Sequence, residues 1–154
     1  MNHWLLKSEP DTFSIDDLAK CPKRTTSWDG VRNYQARNLL RDTIKRGDSA
    51  FFYHSSCAVP GIAGIVRIAK EGYPDTTAFN SSHRHYDADG TPDEPRWFTV
   101  DVALVRKFGR IISLDELRKH AGRMLSEMIL LRRGNRLSVT PVSKREWDFI
   151  LTLE

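Results

Sequence analysis

The segment from Trp28 to Asn33 brings together side chains that can recognise a flat, polar ring. Trp28 offers an aromatic face for stacking, and Arg32 offers a charge that holds phosphate or stacks on a base. Asn33 can cap a helix or hydrogen-bond the polar edge of a base, while Gly30 permits a tight turn or a close ligand. A tryptophan is also a common core residue, so this segment alone leaves packing and binding both open.

Hydrogen-bonding groups also stand at the end of a predicted aromatic-rich strand, from Phe52 to Ser55. Barrel pockets open at strand ends, so these groups can serve a pocket. His54 can equally be a partly buried histidine that is satisfied within the fold.

Two groups of arginines could follow a phosphate backbone. Arg37 and Arg41 share one face of a predicted helix because they are four residues apart. A second group, Arg132, Arg133 and Arg136, comes later in the chain and can equally be a solvated surface.

Residues that could support catalysis or bind a metal lack the required arrangement. His83-Arg84-His85 could direct two imidazoles at one metal, but nothing in this polar segment fixes the geometry, which favours a solvated loop. Cys57 follows His54 closely, yet closeness in sequence does not create a nucleophile–base pair. The common hydrolase, P-loop, zinc-protease and dinucleotide motifs are absent. We therefore predict no catalytic residues, no metal, no cofactor and no enzyme activity.

Composition predicts a single globular domain over residues 1–154, with 40% hydrophobic and 29% charged residues. The net charge of +4 weakly favours a polyanionic partner. Two separated cysteines, Cys21 and Cys57, exclude a disulfide framework and a cysteine-rich zinc site. No secretory signal or apolar run of about 20 residues is visible, so we expect no membrane association and a cytoplasmic location, or a nuclear one in a eukaryote.

Local patterns predict strands alternating with helices, and hence an α+β fold with a small, strongly curved sheet or barrel. The predicted strands cover residues 3–8, 49–55, 61–70, 96–107 and 137–142. The predicted helices cover about 14–20, 34–46, 113–120 and 124–131, with a last one after Ser143. Residues 21–26 are predicted as a basic loop. Gly61 and Gly64 predict a bulge or a close backbone approach, and the polar loop over 72–95 is long enough to suggest a function.

Five segments carry a resemblance to the EVE domain family. They are Trp4 with Lys7-Ser8-Glu9-Pro10, Trp28 to Asn33, Phe52 to Ser55, Pro95-Arg96-Trp97, and Arg136 to Val139 with Pro141-Val142. The resemblance implies a PUA-like fold, a curved β-barrel of about five to six strands with flanking helices. The chain departs from the family at Thr140, where many members have Gln, and at His85-Tyr86-Asp87, where Tyr-Tyr-Asp is frequent.

The resemblance also implies a pocket for a modified nucleobase of DNA or RNA. The residues it places at the base are Lys7, Ser8, Glu9, Trp28, Val31, Asn33, Tyr53, His54, Ser55, Leu137 and Ser138. The candidates for phosphate contacts are Arg32, Arg37, Arg41, Arg133 and Arg136. Trp4 and Trp97 are assigned to structure.

The resulting hypothesis is a non-catalytic nucleic-acid-binding module that captures a flipped or single-stranded base. Stacking on an aromatic side chain contributes ~1–3 kcal/mol, which extrusion of the base from a duplex nearly cancels. Discrimination would then come from hydrogen bonds by Asn33, His54 and Ser55. Two alternatives stay open: an enzyme or accessory factor acting on a nucleotide or small metabolite, and a protein-interaction adaptor.

Overall fold

Six strands form one mixed β-sheet in the computed structural model, which describes residues 1–154. They are β1 His3–Ser8, β2 Thr25–Ser27, β3 Ser49–His54, β4 Gly61–Pro74, β5 Phe98–Ser113 and β6 Val139–Val142. Their order is β2-β5-β4-β3-β1-β6, and β1 and β3 form the parallel pair in the sheet. The predicted α+β class and strand number are confirmed. The edge strands β2 and β6 leave the sheet open, so hydrogen bonds do not close it into a barrel.

Irregular pairing between neighbouring strands bends this sheet. The register shifts once between β3 and β4 and four times between β4 and β5. Bulges of this kind bend a strand and increase its twist. One shift lies at Gly64, where a Cβ atom would overlap the carbonyl oxygen of Arg106. The close approach predicted from this glycine is therefore present.

Four short helices flank the sheet. They are α1 Ile15–Lys20, α2 Tyr34–Asn38, α3 Leu114–Arg118 and α4 Lys144–Leu151. The sequence predicts capping boxes at Ser14, Ser113 and Ser143, where a serine precedes an acidic residue by three positions. The boxes at Ser14 and Ser143 are formed, with Asp17 and Glu146 as the reciprocal partners. At Ser113 only the serine side chain caps the helix, by accepting from Glu116 N–H. None of the helices combines the length and the apolar character that a membrane span requires.

Three local predictions need correction. The helix predicted over 124–131 is wrong, because turns and a short 3-10 segment at Ile129–Leu131 bury this region's apolar side chains instead. The helix predicted over 34–46 ends at Thr43, where its last turn is a π-helix. The loop predicted over 21–26 contains part of β2, since Thr25–Ser27 pairs with a strand more than seventy residues later in the chain.

Two hydrophobic clusters lie on opposite faces of the sheet. In β3, Ala50 and Phe52 belong to the first core, whereas Phe51 and Tyr53 belong to the second core. This alternation follows from the two-residue period of a strand. The first core continues to Trp28 and Val31 of the loop after β2, and the second core is covered by α3 and α4.

Candidate functional site

A cavity of about 450 Å³ opens at the end of β1, beside the loop that joins β2 to α2. Its walls come from the end of β1, residues 26–32 and residues 83–85, and they are mostly polar. This volume lies within the range of sites that enclose small molecules. The Trp28 segment therefore forms one wall of a cavity of suitable size for a small ligand.

Trp28 is both a core residue and part of this wall. Only 6% of its surface is exposed, and its ring meets Phe52 edge-on at 5.3 Å between centroids and 90° between planes. Its backbone N–H donates to the Val100 carbonyl at 2.8 Å, which continues the pairing of β2 with β5. Its indole N–H makes no hydrogen bond within the protein, and Trp28 lines the cavity.

The 83–85 segment closes on the Trp28 segment at Gly30. Gly30 has φ +82°, and a Cβ atom at this position would overlap the imidazole ring of His85. Burial lowers the pKa of His85, which favours a neutral ring. Glycine is therefore required here by its backbone conformation and by the close approach of the second wall.

A buried carboxylate holds Gly30 and Arg32 of the first wall in place. Asp75 is 1% exposed and accepts hydrogen bonds from Gly30 N–H at 2.8 Å and Arg32 Nη1 at 3.0 Å. It also accepts from the Thr77 hydroxyl at 2.6 Å. Burial favours the neutral acid, but the bonds from Thr77, Gly30 and Arg32 outweigh it and hold the pKa of Asp75 below its usual value.

Arg32 belongs to the same hydrogen-bond network. Besides Asp75, its guanidinium donates to the His85 carbonyl at 2.7 Å and lies 5.3 Å from the ring centroid of Trp97. These contacts use the fork of donors that we expected to meet phosphate. In this structure Arg32 joins the Trp28 segment to the long polar loop, and the ring of Trp97 lies beside the Arg32 guanidinium.

Five of the residues predicted to contact a base line the cavity: Lys7, Ser8, Trp28, Val31 and Ser138. The Ser8 hydroxyl donates to the Phe13 carbonyl at 2.6 Å. Strand alternation places the Lys7 side chain on the opposite face from Ser8, with its ammonium 6.0 Å from the Tyr53 ring centroid. Burial lowers the pKa of this ammonium, which makes no ion pair.

The other six predicted residues lie outside the lining of this cavity: Glu9, Asn33, Tyr53, His54, Ser55 and Leu137. Asn33 caps α2 by accepting from Ala36 N–H at 3.0 Å. His54 accepts from Ile15 N–H at 3.1 Å at the start of α1, and burial lowers its pKa. Tyr53 belongs to the second core, where burial raises its pKa to about 12.

The predicted phosphate-binding arginines separate into two groups. Arg37 donates to the Arg96 carbonyl at 2.7 Å, and Arg41 pairs with the adjacent Asp42. Arg133 and Arg136 are exposed and form no ion pair. Arg133 lines a second cavity together with Leu137.

The cavity is also lined by nine residues that are not among the predicted site residues: Thr12, Phe13, Thr26, Ser27, Asp29, Gly30, His83, Arg84 and His85. For some of them the sequence did carry a signal. The long polar loop was expected to be functional, and its His-Arg-His segment supplies the second wall. Thr26 and Ser27 were missed together with β2, and no local pattern indicated Thr12 or Phe13.

Asp29, His83 and His85 each bring one potential metal ligand within 4.8 Å of the others. However, Nδ1 of His83 accepts a hydrogen bond from the backbone N–H of His85 at 3.0 Å. In a neutral ring this places the proton on Nε2, which is then a donor rather than a metal ligand. The cluster is therefore better suited to hydrogen bonding, with His83 as a donor and Asp29 as an acceptor.

Known proteins share both the sequence and the fold of this chain. The family model described as EVE domain matches residues 2–153. Human thymocyte nuclear protein 1 is 49% identical over 168 residues, which cover 99% of this chain and 74% of that protein.

Solved structures extend the similarity to three dimensions. The crystal structure of human THYN1 protein in complex with 5-methylcytosine-containing DNA matches with a TM-score of 0.94 at 48% identity, over 99% of this chain and 97% of that one. A protein from Pseudomonas putida matches with a TM-score of 0.92 at 49% identity, over 98% of each chain. These matches confirm the fold that the sequence resemblance implied. The chain belongs to the EVE domain family.

Proposed function

We propose that this chain is a nucleic-acid-binding module that captures a modified base of DNA in the cavity beside Trp28, with 5-methylcytosine as the first candidate. The observation that carries the proposal is the similarity to human THYN1, whose structure contains DNA with that base. The match extends over nearly the whole chain, including the segments that form the cavity. The name of these relatives also supports a nuclear location if the chain comes from a eukaryote.

The cavity walls offer the groups that a cytosine edge requires. The exocyclic amine of cytosine is a donor, and the Asp29 carboxylate can accept from it. The ring nitrogen and carbonyl are acceptors, for which the indole N–H of Trp28 and Nε2–H of His83 are donors. This pairing of one acceptor with two donors supports recognition of a pyrimidine.

The low exposure of Trp28 changes how we expect the base to be held. A base can meet only the small exposed part of this ring, so stacking contributes less than the ~1–3 kcal/mol of a free aromatic face. Hydrogen bonds therefore carry a larger share of the affinity. The apolar surfaces of Val31 and Phe13 remain available to a methyl group.

The hydroxyl groups in the cavity support binding rather than catalysis. The Ser8 hydroxyl donates to a backbone carbonyl, and the Ser27 hydroxyl is hydrogen-bonded to Thr99 at 3.1 Å. Neither is paired with His83 or His85, as an activated nucleophile would be. We therefore propose that the module has no catalytic role.

Binding of short single-stranded oligonucleotides tests the proposal. Matched strands carrying cytosine, 5-methylcytosine or 5-hydroxymethylcytosine would be titrated at two salt concentrations, with fluorescence anisotropy of a terminal dye as the readout. Burial of one methyl group contributes about 0.8 kcal/mol, so we expect about fourfold tighter binding of the methylated strand. If no strand binds, the proposal fails, and equal affinity for cytosine and 5-methylcytosine would contradict its modified-base part.

A pair of tryptophan variants tests the location. Trp28→Phe keeps an aromatic ring in the core but removes the free indole N–H, so affinity should fall about two- to tenfold, as for one hydrogen bond. Trp147→Phe is the matched control, because Trp147 is buried to a similar degree in the second core. Undiminished binding by Trp28→Phe would show that the base is held elsewhere.

A further inference from the structure

A second cavity has a volume of about 390 Å³. Consecutive residues connect it to the first cavity, since Leu137 lines the second and Ser138 lines the first. The Ser138 carbonyl accepts from Lys7 N–H at 2.8 Å, which fixes this junction to the end of β1. A strand whose base enters the first cavity would therefore place a neighbouring nucleotide close to the second.

A tight turn presents arginines at the second cavity. Gly134 has φ +78°, and Asn135 N–H donates to the Arg132 carbonyl at 3.1 Å. Arg132 and Arg133 line the cavity, and Arg136 follows on the same turn. All three arginines are exposed, and the short turn keeps them on one segment.

These three arginines have no acidic partner, unlike Arg41 and Arg110. Arg41 pairs with Asp42, and Arg110 pairs with Glu116. By contrast, Arg132, Arg133 and Arg136 make neither an ion pair nor a side-chain hydrogen bond. Their positive charge is therefore uncompensated at the mouth of a cavity, where a phosphate would be complementary.

The cavity floor and walls suit the rest of a nucleotide. Leu39, Ile129 and Leu137 give it an apolar surface that can hold the face of a base. Gln35 and Asn135 add amide groups, and Nδ2 of Asn135 is buried without a hydrogen-bond partner. A buried donor without a partner is costly.

We propose that the second cavity binds the nucleotide next to the captured base, with Arg132 and Arg133 on its phosphate. This inference rests on the proposed function and extends it from one base to a two-nucleotide footprint. The apolar floor contributes contact with any base, so the second cavity adds affinity with little sequence preference. The first cavity then provides the choice of base.

The test compares a ligand that reaches one cavity with a ligand that reaches both. The ligands are 5-methyl-2′-deoxycytidine and a single-stranded pentanucleotide with a central 5-methylcytosine, titrated calorimetrically. The Arg132→Gln/Arg133→Gln variant should bind the pentanucleotide about tenfold more weakly and bind the nucleoside as the wild type does. Its slope of log affinity against log salt should fall by about 0.7, because both arginines contact the same phosphate and each neutralised phosphate of a single strand contributes about 0.7.

The matched control is Arg123→Gln, which removes an exposed arginine that lines neither cavity. This variant should leave both ligands and the salt slope unchanged. If the double variant keeps the wild-type affinity and slope for the pentanucleotide, the second subsite is overturned while capture of the base stands. If the wild type binds neither ligand, the proposed function and the subsite fail together.

Discussion

Trp28 and Trp147 are buried to nearly the same degree, with 6% and 7% of their surfaces exposed, yet their surroundings differ. Trp147 stacks on Phe51 at 3.9 Å between ring centroids and 17° between planes, in a region covered by helices. Trp28 meets Phe52 only by an edge, and no helix contributes to the wall of the cavity beside it. A cavity therefore remains next to Trp28.

The comparison shows that burial alone does not separate a core tryptophan from one at a site. The two regions differ in the kind of structure that lies over the tryptophan ring. Helix α4 covers the second core with its own apolar side chains. The 83–85 segment is held over the Trp28 segment by the hydrogen bond from Arg32 to the His85 carbonyl, and Arg32 is itself bonded to Asp75, so the position is fixed without filling the space.

The largest expected effect is on the second core. Trp147→Ala should lower the free energy of unfolding by about 3–5 kcal/mol, because it empties a stacked and buried position. Urea denaturation followed by circular dichroism measures this change. Affinity for the 5-methylcytosine oligonucleotide should stay the same under conditions where the variant is folded. A loss of affinity in the folded variant would break the distinction between the two tryptophan regions.

The second largest effect is expected at Asp75, the buried carboxylate that bonds to Gly30 and Arg32. Asp75→Asn should lower the free energy of unfolding by about 1.5–3 kcal/mol, since Asp75 accepts several hydrogen bonds while buried. The affinity of Asp75→Asn for the oligonucleotide should also fall, because the two walls of the cavity separate. Asp42→Asn is the control, because its ion pair with Arg41 is exposed and should contribute little to stability. Similar losses in the two variants would argue against a special role for Asp75.

A pair of glycine variants isolates the contact between the walls. Gly30→Ala and Gly134→Ala both force alanine to a positive φ, which costs about 1–2 kcal/mol each. At Gly134 the space for a Cβ atom is open, whereas at Gly30 it is occupied by His85. Thermal denaturation should therefore show a greater loss for Gly30→Ala. Equal losses would mean that the 83–85 segment moves aside freely.

The smallest expected effect is a change in pH dependence. Burial lowers the pKa of His54, whose Nε2 accepts a hydrogen bond from Ile15 N–H. Its contribution to stability is therefore complete above the unfolded value of about 6.5 and is lost as the pH falls through the lower folded value. His54→Gln keeps an acceptor without this titration. The free energy of unfolding, measured between pH 8 and 5, should decline less steeply for the variant than for the wild type. Identical declines would show that His54 does not contribute to the pH dependence of stability.

The sequence by itself determined the features that depend on neighbouring residues. Capping boxes at Ser14 and Ser143 located helix starts, because a cap and its partner are three residues apart. A short apolar run and an aromatic-rich run located β1 and β3 to within a residue. Family-like segments indicated the fold and directed attention to Trp28.

Only the tertiary structure decided which side chains meet in the cavity. Gly30 contacts His85 and Arg32 bonds to Asp75 across more than forty residues, and sheet pairing sets such distances. The fold also brings His54 within reach of Ile15 N–H at a helix start, whereas the cap that Asn33 forms with Ala36 is local, although both residue types suit base recognition equally well. A residue's type states which bonds it can make, and the fold determines which partner is within reach.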